Sequence, residues 1–316
     1  MLVHLRLTVP TVLSDDVRRV LTEAEHVTNI VVLPGASLRP EGDLVECDLP
    51  RESTDTVMQE LERLGLSEVG GVVVETPASA PFAKARELEE QAPGDPEDAV
   101  IWETVVAQAE SASRPAFSYR IFMVLATLLA AIAVITDSPV LVVGAMVVGP
   151  EFGTVAAVCT GLVLGRWVLV GRSLRLLATT FALAILVVAA LALAADVTGL
   201  VAEEMVRRPR PQTDFIWHPD RWSFVVALVA GAAGVLALST DRAQALVGVF
   251  ISVTTVPAAG NLALALGTWT PEEVVGSGTQ LGVNLAGMVL SGTVVLAVQR
   301  VLGRRRRAQE GVAAVR

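Results

Sequence analysis

The chain has 316 residues, of which 53% are apolar, with a formal net charge of −9 and a mean hydropathy of +0.58. This is too apolar for an ordinary soluble domain, and two cysteines are too few for a disulfide scaffold. Residues 1–110 hold 22 of the 33 acidic side chains but 8 of the 24 basic ones, so an acidic soluble part precedes a basic-flanked membrane part. Such acidity argues against nucleic acid as a partner, because binding phosphates needs a basic surface.

No basic, apolar and small-residue leader opens the chain, so the soluble part is expected to stay on the side where it is made. Val3, Leu5, Leu7 and Val9 alternate with polar residues as a half-buried strand does. Ser14 is placed to cap a helix carrying Val17, Val20 and Leu21, and Val27 to Leu33 forms a strand stopped by Pro34-Gly35. Val45, Cys47 and Leu49 alternate in a third strand. Ser53 or Asp55 begins a second helix that ends at Gly65, and Val69 to Val74 is the fourth strand. The order βαββαβ predicts a small α+β, ferredoxin-like domain over 1–78. His4 and His26 lack metal-ligand spacing, Cys47 and Cys159 lie in separate domains, and neither a metal nor a cofactor is expected. A linker over 79–117 carries an amphipathic helix from Asp95-Pro96, with Ile101, Trp102, Val105, Val106 and Ala109 on one side and an acidic opposite face.

Six apolar stretches follow within 118–303, at about 118–136, 139–165, 174–196, 222–239, 243–267 and 274–302, each reaching the roughly 20 residues a bilayer core requires. A pattern recurs in them. TDSPVLVVGAM from Thr136 precedes Pro150, Gly153 and Gly165-Arg166-Trp167, while TDRAQALVGVF from Thr240 precedes Pro257, Gly260 and Gly267-Thr268-Trp269. Thr-Asp and the glycines Gly144 and Gly248 are offset by 104 residues, the prolines by 107 and the tryptophans by 102. Three spans per copy force the second copy to enter from the opposite side, so a mainly α, 3+3 inverted repeat with broken second and fifth helices is expected. Arginines at 114, 120, 166, 172, 175 and 242 and in the basic tail 304–316 place both termini in the cytoplasm of a cell (inner) membrane protein.

Glu151 is the sharpest candidate residue, because an ionisable group within an apolar span is costly. A proton or cation site is one reading; a carboxylate beside a wet break, or paired with arginine for stability, is the other. Thr254, Asn261 and Asn284, with Thr255 and Gln280, are polar groups around the second break that suit either a solute path or interhelical hydrogen bonds. Gly149, Gly153, Ala157, Gly161 and Gly165 recur every fourth residue as one close-packing stripe. Gly144, Gly278, Gly282 and Gly287 are further packing positions, and these faces make a homo-oligomer plausible. Asp137 and Asp241 fall on opposite faces in this topology, so they are read as loop or cap residues rather than a protease dyad.

Ser138-Pro139, Gly144-Ala145-Met146, Pro150 and Gly153, followed by ALVGV at Ala245 to Val249, Val256-Pro257 and Asn284-Leu285-Ala286-Gly287, resemble the prokaryotic membrane family catalogued as domain of unknown function 389. The resemblance covers roughly 118–302 and implies an integral membrane protein without an established activity, preceded by a small domain of the kind many members carry. Glu151 departs from that pattern, which has an apolar residue there, and Ala258 departs where a second proline is usual. No zinc-protease, phosphate-loop, dinucleotide or nucleophile-elbow motif appears, so an enzyme is not expected. The leading expectation is a transporter or channel for a small solute or ion, with its site at the paired breaks near Pro150, Gly153, Pro257 and Gly260. The other is a non-transporting oligomeric scaffold or sensor whose cytoplasmic domain binds a ligand or partner.

Overall fold

A computed structural model describes residues 2–77, 79–91, 99–199, 208–240 and 254–313. The chain separates into two compact units, Met1–Val105 and Val106–Arg316.

The first unit contains β1 (Leu2–Pro10), α1 (Ser14–Glu23), β2 (Thr28–Leu38), β3 (Glu41–Pro50), α2 (Arg51–Arg63), the short α3 (Leu66–Val69), β4 (Gly71–Glu75) and α4 (Ala83–Gln91). Its sheet has the order β2-β3-β1-β4 with every pairing antiparallel, so β3 lies between β1 and β2. Leu5 faces Cys47 and Leu7 faces Val45 across the central pair. These residues bury one sheet face against Val17 and Leu21 of α1 and Val57 and Leu61 of α2. Burial raises the Cys47 thiol to about 12, with a smaller contribution from the charge of Asp48.

Three local expectations fail for physical reasons. Ser14 does not cap α1, which is entered through a 3-10 turn at Thr11–Leu13; its hydroxyl donates to Asp43 instead. Pro34-Gly35 does not stop β2, because an edge strand can carry a residue without an N–H on its open side. The strand runs on to Leu38 with its register shifted between Leu33 and Ser37, Gly35 taking φ +64° and donating its N–H to Asp43 at 2.9 Å. Asp43 thus collects Ser14, Gly35 and Arg18, and these donors hold its carboxyl below the usual range. α2 starts before Ser53, directly after Pro50, and ends where expected, with Gly65 at φ +72°.

The unit boundary falls within α5 (Trp102–Ala112), which begins later than the expected Asp95-Pro96 start; that dipeptide lies outside the described residues. α6 (Phe117–Ile135), α9 (Trp167–Val197), α10 (Arg221–Ser239) and the Pro271–Gly303 part of α12 (Pro271–Ala313) are long and apolar enough to cross a bilayer. A fifth span forms if α7 (Pro139–Val148) and α8 (Glu151–Leu164), bent by 53°, are taken together. α11 (Thr255–Gly267) is apolar but short, and the rest of the expected fifth span, with Asp241 and the ALVGV segment, lies outside the described residues. Large apolar residues such as Phe122, Leu125, Leu186, Val229 and Val294 face outward, as a lipid-facing surface requires. This is a multi-pass membrane domain preceded by a small α/β unit.

The break follows from Pro150. Proline supplies no N–H to the carbonyl of Met146 and forces the preceding residue out of the helical region. Gly149 accordingly takes φ −65°, ψ 126°, and α8 restarts at Glu151. The four-residue glycine stripe is therefore not one helical face. Gly149 lies in the break, Gly161 packs against Val170, and Gly165 ends α8 at φ +71° with open space where a Cβ would stand. The hydrogen bonds Arg166 N–H to Gly161 and Gly165 N–H to Leu162 are those of a glycine-terminated helix.

Three helices of the first half begin 104 residues before three of the second: α6 and α10, α8 and α11, α9 and α12. Ala133 and Val134 near the end of α6, Ala192 near the end of α9 and Leu264 near the end of α11 share one cluster with Ile216. The opposite end gathers the ends of the other three helices. Arg300 of α12 donates to the Val163 carbonyl of α8, and Gln299 of α12 to Ser239 of α10 at 3.0 Å.

Candidate functional site at the helix breaks

The first residues of α8 and α11 meet. Thr255 donates its hydroxyl to Glu151 Oε1 at 2.6 Å, and a side chain at Gly149 would strike both Glu151 Oε2 and Val256. Glu151 is 7% exposed and lies midway along the broken span. Its position at the start of α8 puts it against the positive end of that helix dipole.

Thr254, next to Thr255, precedes α11 without capping it. Its hydroxyl oxygen instead accepts from Gln280 Nε2 at 3.0 Å and Asn284 Nδ2 at 2.7 Å, both on α12. Beside these threonines, the acceptors Glu151 Oε2 and Gln280 Oε1 are buried without a hydrogen-bond partner among the described residues. One turn beyond Glu151, Thr154 donates to the Ala112 carbonyl at 3.1 Å and pairs with the Tyr119 hydroxyl at 3.0 Å.

Asn261 lies elsewhere. Two turns along α11, it accepts from Arg210 at 3.2 Å and donates to Glu273 at 3.0 Å and Ser277 at 2.8 Å, while Arg210 pairs with Glu273 at 2.5 Å. Arg210 and Glu273 are 6% and 8% exposed, so this is a buried ion pair with its spare valences filled by an amide. Asp137 belongs to the same end, at φ +48°, accepting from Thr213 at 2.9 Å and from the Gln212 N–H at 3.2 Å. Segment 208–217 thus lies over the ends of α6, α11 and α12, with Trp217 against Gly276.

Of the four path candidates, Glu151, Thr254 and Asn284 therefore gather where α8 and α11 begin, and Asn261 does not. Pro257 is the third residue of α11, where a missing N–H costs nothing. Gly260 is a contact position, its Cα facing Ala130 and the backbone of Ala131 and Thr127 on α6. Gly153 faces Ala112 and Gly287 faces Ala227; Gly144 has ordinary contact with Leu129, and Gly278 and Gly282 have no neighbour within 4 Å. Arg210 and Glu273 went unnoticed as site residues. The available signal was the acid pair Glu272-Glu273 at the head of an apolar stretch and an arginine in the long charged loop before Arg221.

Among the described residues no group of three or more His, Cys, Asp or Glu side chains could hold a metal. Residues 146–290 match the family model described as Domain of unknown function (DUF389), a stretch that includes every residue of both polar clusters on α8, α11 and α12. No curated protein and no solved structure matches the chain. Over less than half of its length, including the break at Pro150 and all of α11, the chain is similar to that family.

Proposed function

We propose that this protein moves a small solute or ion across a bilayer through a site between its two interrupted helices. The contact from Thr255 to Glu151 carries the reading, since it joins the starts of two half-helices inside an apolar bundle. Exposed helix starts and freed carbonyls at such breaks are what secondary transporters use to hold solutes. The membrane unit is read as a 3+3 inverted repeat of six spans, residues 243–254 completing the fifth. Helix starts 104 residues apart support it. So does direction: α6, α9 and α11 end together, whereas α8, α10 and α12 approach one another near the opposite ends of their apolar stretches.

Both termini are assigned to the cytoplasm from the arginine distribution. The first unit, with its βαββαβ order, is read as a ferredoxin-like domain that regulates or assembles the protein. Gly278 and Gly282, open on α12, offer a flat strip to a second copy. No enzymatic role is proposed. The scaffold reading draws on one observation, that Asn261 is consumed by helix contacts. Glu151 and Gln280, each with a buried acceptor to spare, favour transport.

The test is flux in proteoliposomes across a panel of ions and metabolites, comparing wild type with Glu151→Gln and Asn284→Ala. Flux above empty liposomes, altered in the variants, is expected; none for any solute would defeat the reading. Cysteines placed at Asp137 and Asp241 should label from opposite sides of the membrane, and labelling from one side would remove the inversion.

A further inference from the structure

We infer that the protein binds one monovalent metal cation of the sodium class where α8 and α11 begin, with Glu151 Oε2 and Gln280 Oε1 as its side-chain ligands. The inference rests on the transport reading above and supplies the ion that such a transporter would carry or couple to.

Both orphan atoms are lone-pair acceptors on residues that are 7% and 1% exposed. An anion has nothing to offer them. They are anchored from adjacent residues at the start of α11, Glu151 by Thr255 and Gln280 by Thr254. No cationic side chain among the described residues pairs with Glu151; Arg210 lies apart, bound to Glu273 and Asn261. A bridging water would satisfy the two lone pairs and leave the carboxylate charge uncompensated inside an apolar bundle. A metal cation does both at once.

The valence follows from the charge. One carboxylate balances one positive charge, whereas calcium sites recruit several carboxylates, and no group of three acidic or metal-ligating side chains exists among the described residues. The oxygen donors are hard, which suits an alkali cation. Pro150 frees the Met146 carbonyl at the end of α7, and unwound carbonyls beside half-helix ends are the neutral ligands that sodium sites use. The two amide groups turned toward Thr254 leave the carbonyl of Gln280 facing away from it, free to coordinate.

The test uses the purified full-length protein in lipid nanodiscs at fixed pH and ionic strength, exchanging choline chloride for sodium, lithium or potassium chloride. Sodium should raise the thermal unfolding midpoint saturably in wild type by several degrees, and radioactive sodium should bind with the same concentration dependence. Both effects should vanish in Glu151→Gln and in Gln280→Leu. Gln280→Glu, which adds a second carboxylate, should shift the preference toward calcium. A midpoint that follows pH but not sodium would overturn the inference in favour of a proton, as would sodium binding that survives both single variants. Sodium binding without flux of any solute would defeat the transport reading and leave the site standing; flux without sodium binding would do the reverse.

Discussion

Thr255 and Glu151, joined at 2.6 Å, are each the first residue of a helix and lie 104 positions apart, the offset between the starts of three pairs of helices. In the proposed inverted repeat these two residues are equivalent, and equivalent residues touch only close to the axis relating the halves, as in a self-complementary interface. The uneven proline spacing acquires a reason from the same geometry. Pro150 stands just before α8, whereas Pro257 sits in the first turn of α11. Each proline is compatible with a helix start, but at a different step of it, so the helices align where the prolines do not.

Removing the hydroxyl that serves Glu151 leaves both carboxylate oxygens without a donor. We predict that Thr255→Val lowers stability by about 1–3 kcal/mol, while Thr255→Ser stays close to wild type. Denaturant unfolding in a fixed detergent reads this; a valine variant as stable as wild type would mean that the bond contributes nothing.

The buried Arg210 and Glu273 pair should be intolerant of losing one partner. Arg210→Met is expected to cost about 3–5 kcal/mol, because it strands the carboxylate, and the double variant Arg210→Met with Glu273→Gln less than the sum of the two singles. A double-mutant cycle measures the coupling, and strict additivity would count against the pairing. A cysteine at Asn261 should also react faster with a membrane-impermeant thiol reagent once Arg210 is gone, since segment 208–217 is held over that end by the pair.

Glycines on the helices are predicted to differ sharply. A Cβ at Gly260 would stand 2.5 Å from Ala130 Cβ and 2.8 Å from the Ala131 nitrogen. Gly260→Val should therefore destabilise by about 1–3 kcal/mol or more, whereas Gly278→Ala, in open space, should stay within about 0.5 kcal/mol. Equal effects at both positions would contradict the packing of α11 on α6.

In the first unit, burial raises the Glu103 carboxyl from 4.5 to about 7, with Asp55 and Glu62 adding repulsion. The native state then holds this proton more tightly than the unfolded chain does. The stabilisation is complete below about 4.5, declines as pH rises toward 7, and is absent above it. Glu103→Gln should flatten that slope and raise stability above pH 7, read as the unfolding midpoint against pH. A slope unchanged by the substitution would assign it to other groups.

What could be read from the residues was whatever a single segment decides. The alternation of Val3, Leu5, Leu7 and Val9, the apolar stretches and the Pro150 break all depend on near neighbours, and proline leaves a helix few options. Pro34-Gly35 was misread because its meaning depends on β2 being an edge strand, which only the pairing with β3 determines. Asn261 was grouped with the break on proximity in sequence, yet a helix carries it two turns away, to an arginine 51 residues earlier. Glu151 and Thr254 did gather near each other, but their donors on α11 and α12 come from the second half.

α9 has 31 residues, about 46 Å of helix, against a hydrocarbon thickness of about 30 Å. Tilt or overhang has to absorb the difference, and Arg172 and Arg175 lie in its first three turns. An overhanging start would set these guanidiniums among lipid phosphates, where basic side chains gain from anionic headgroups. The protein should consequently respond to bilayer thickness and headgroup charge, with thin neutral membranes fitting this helix worst.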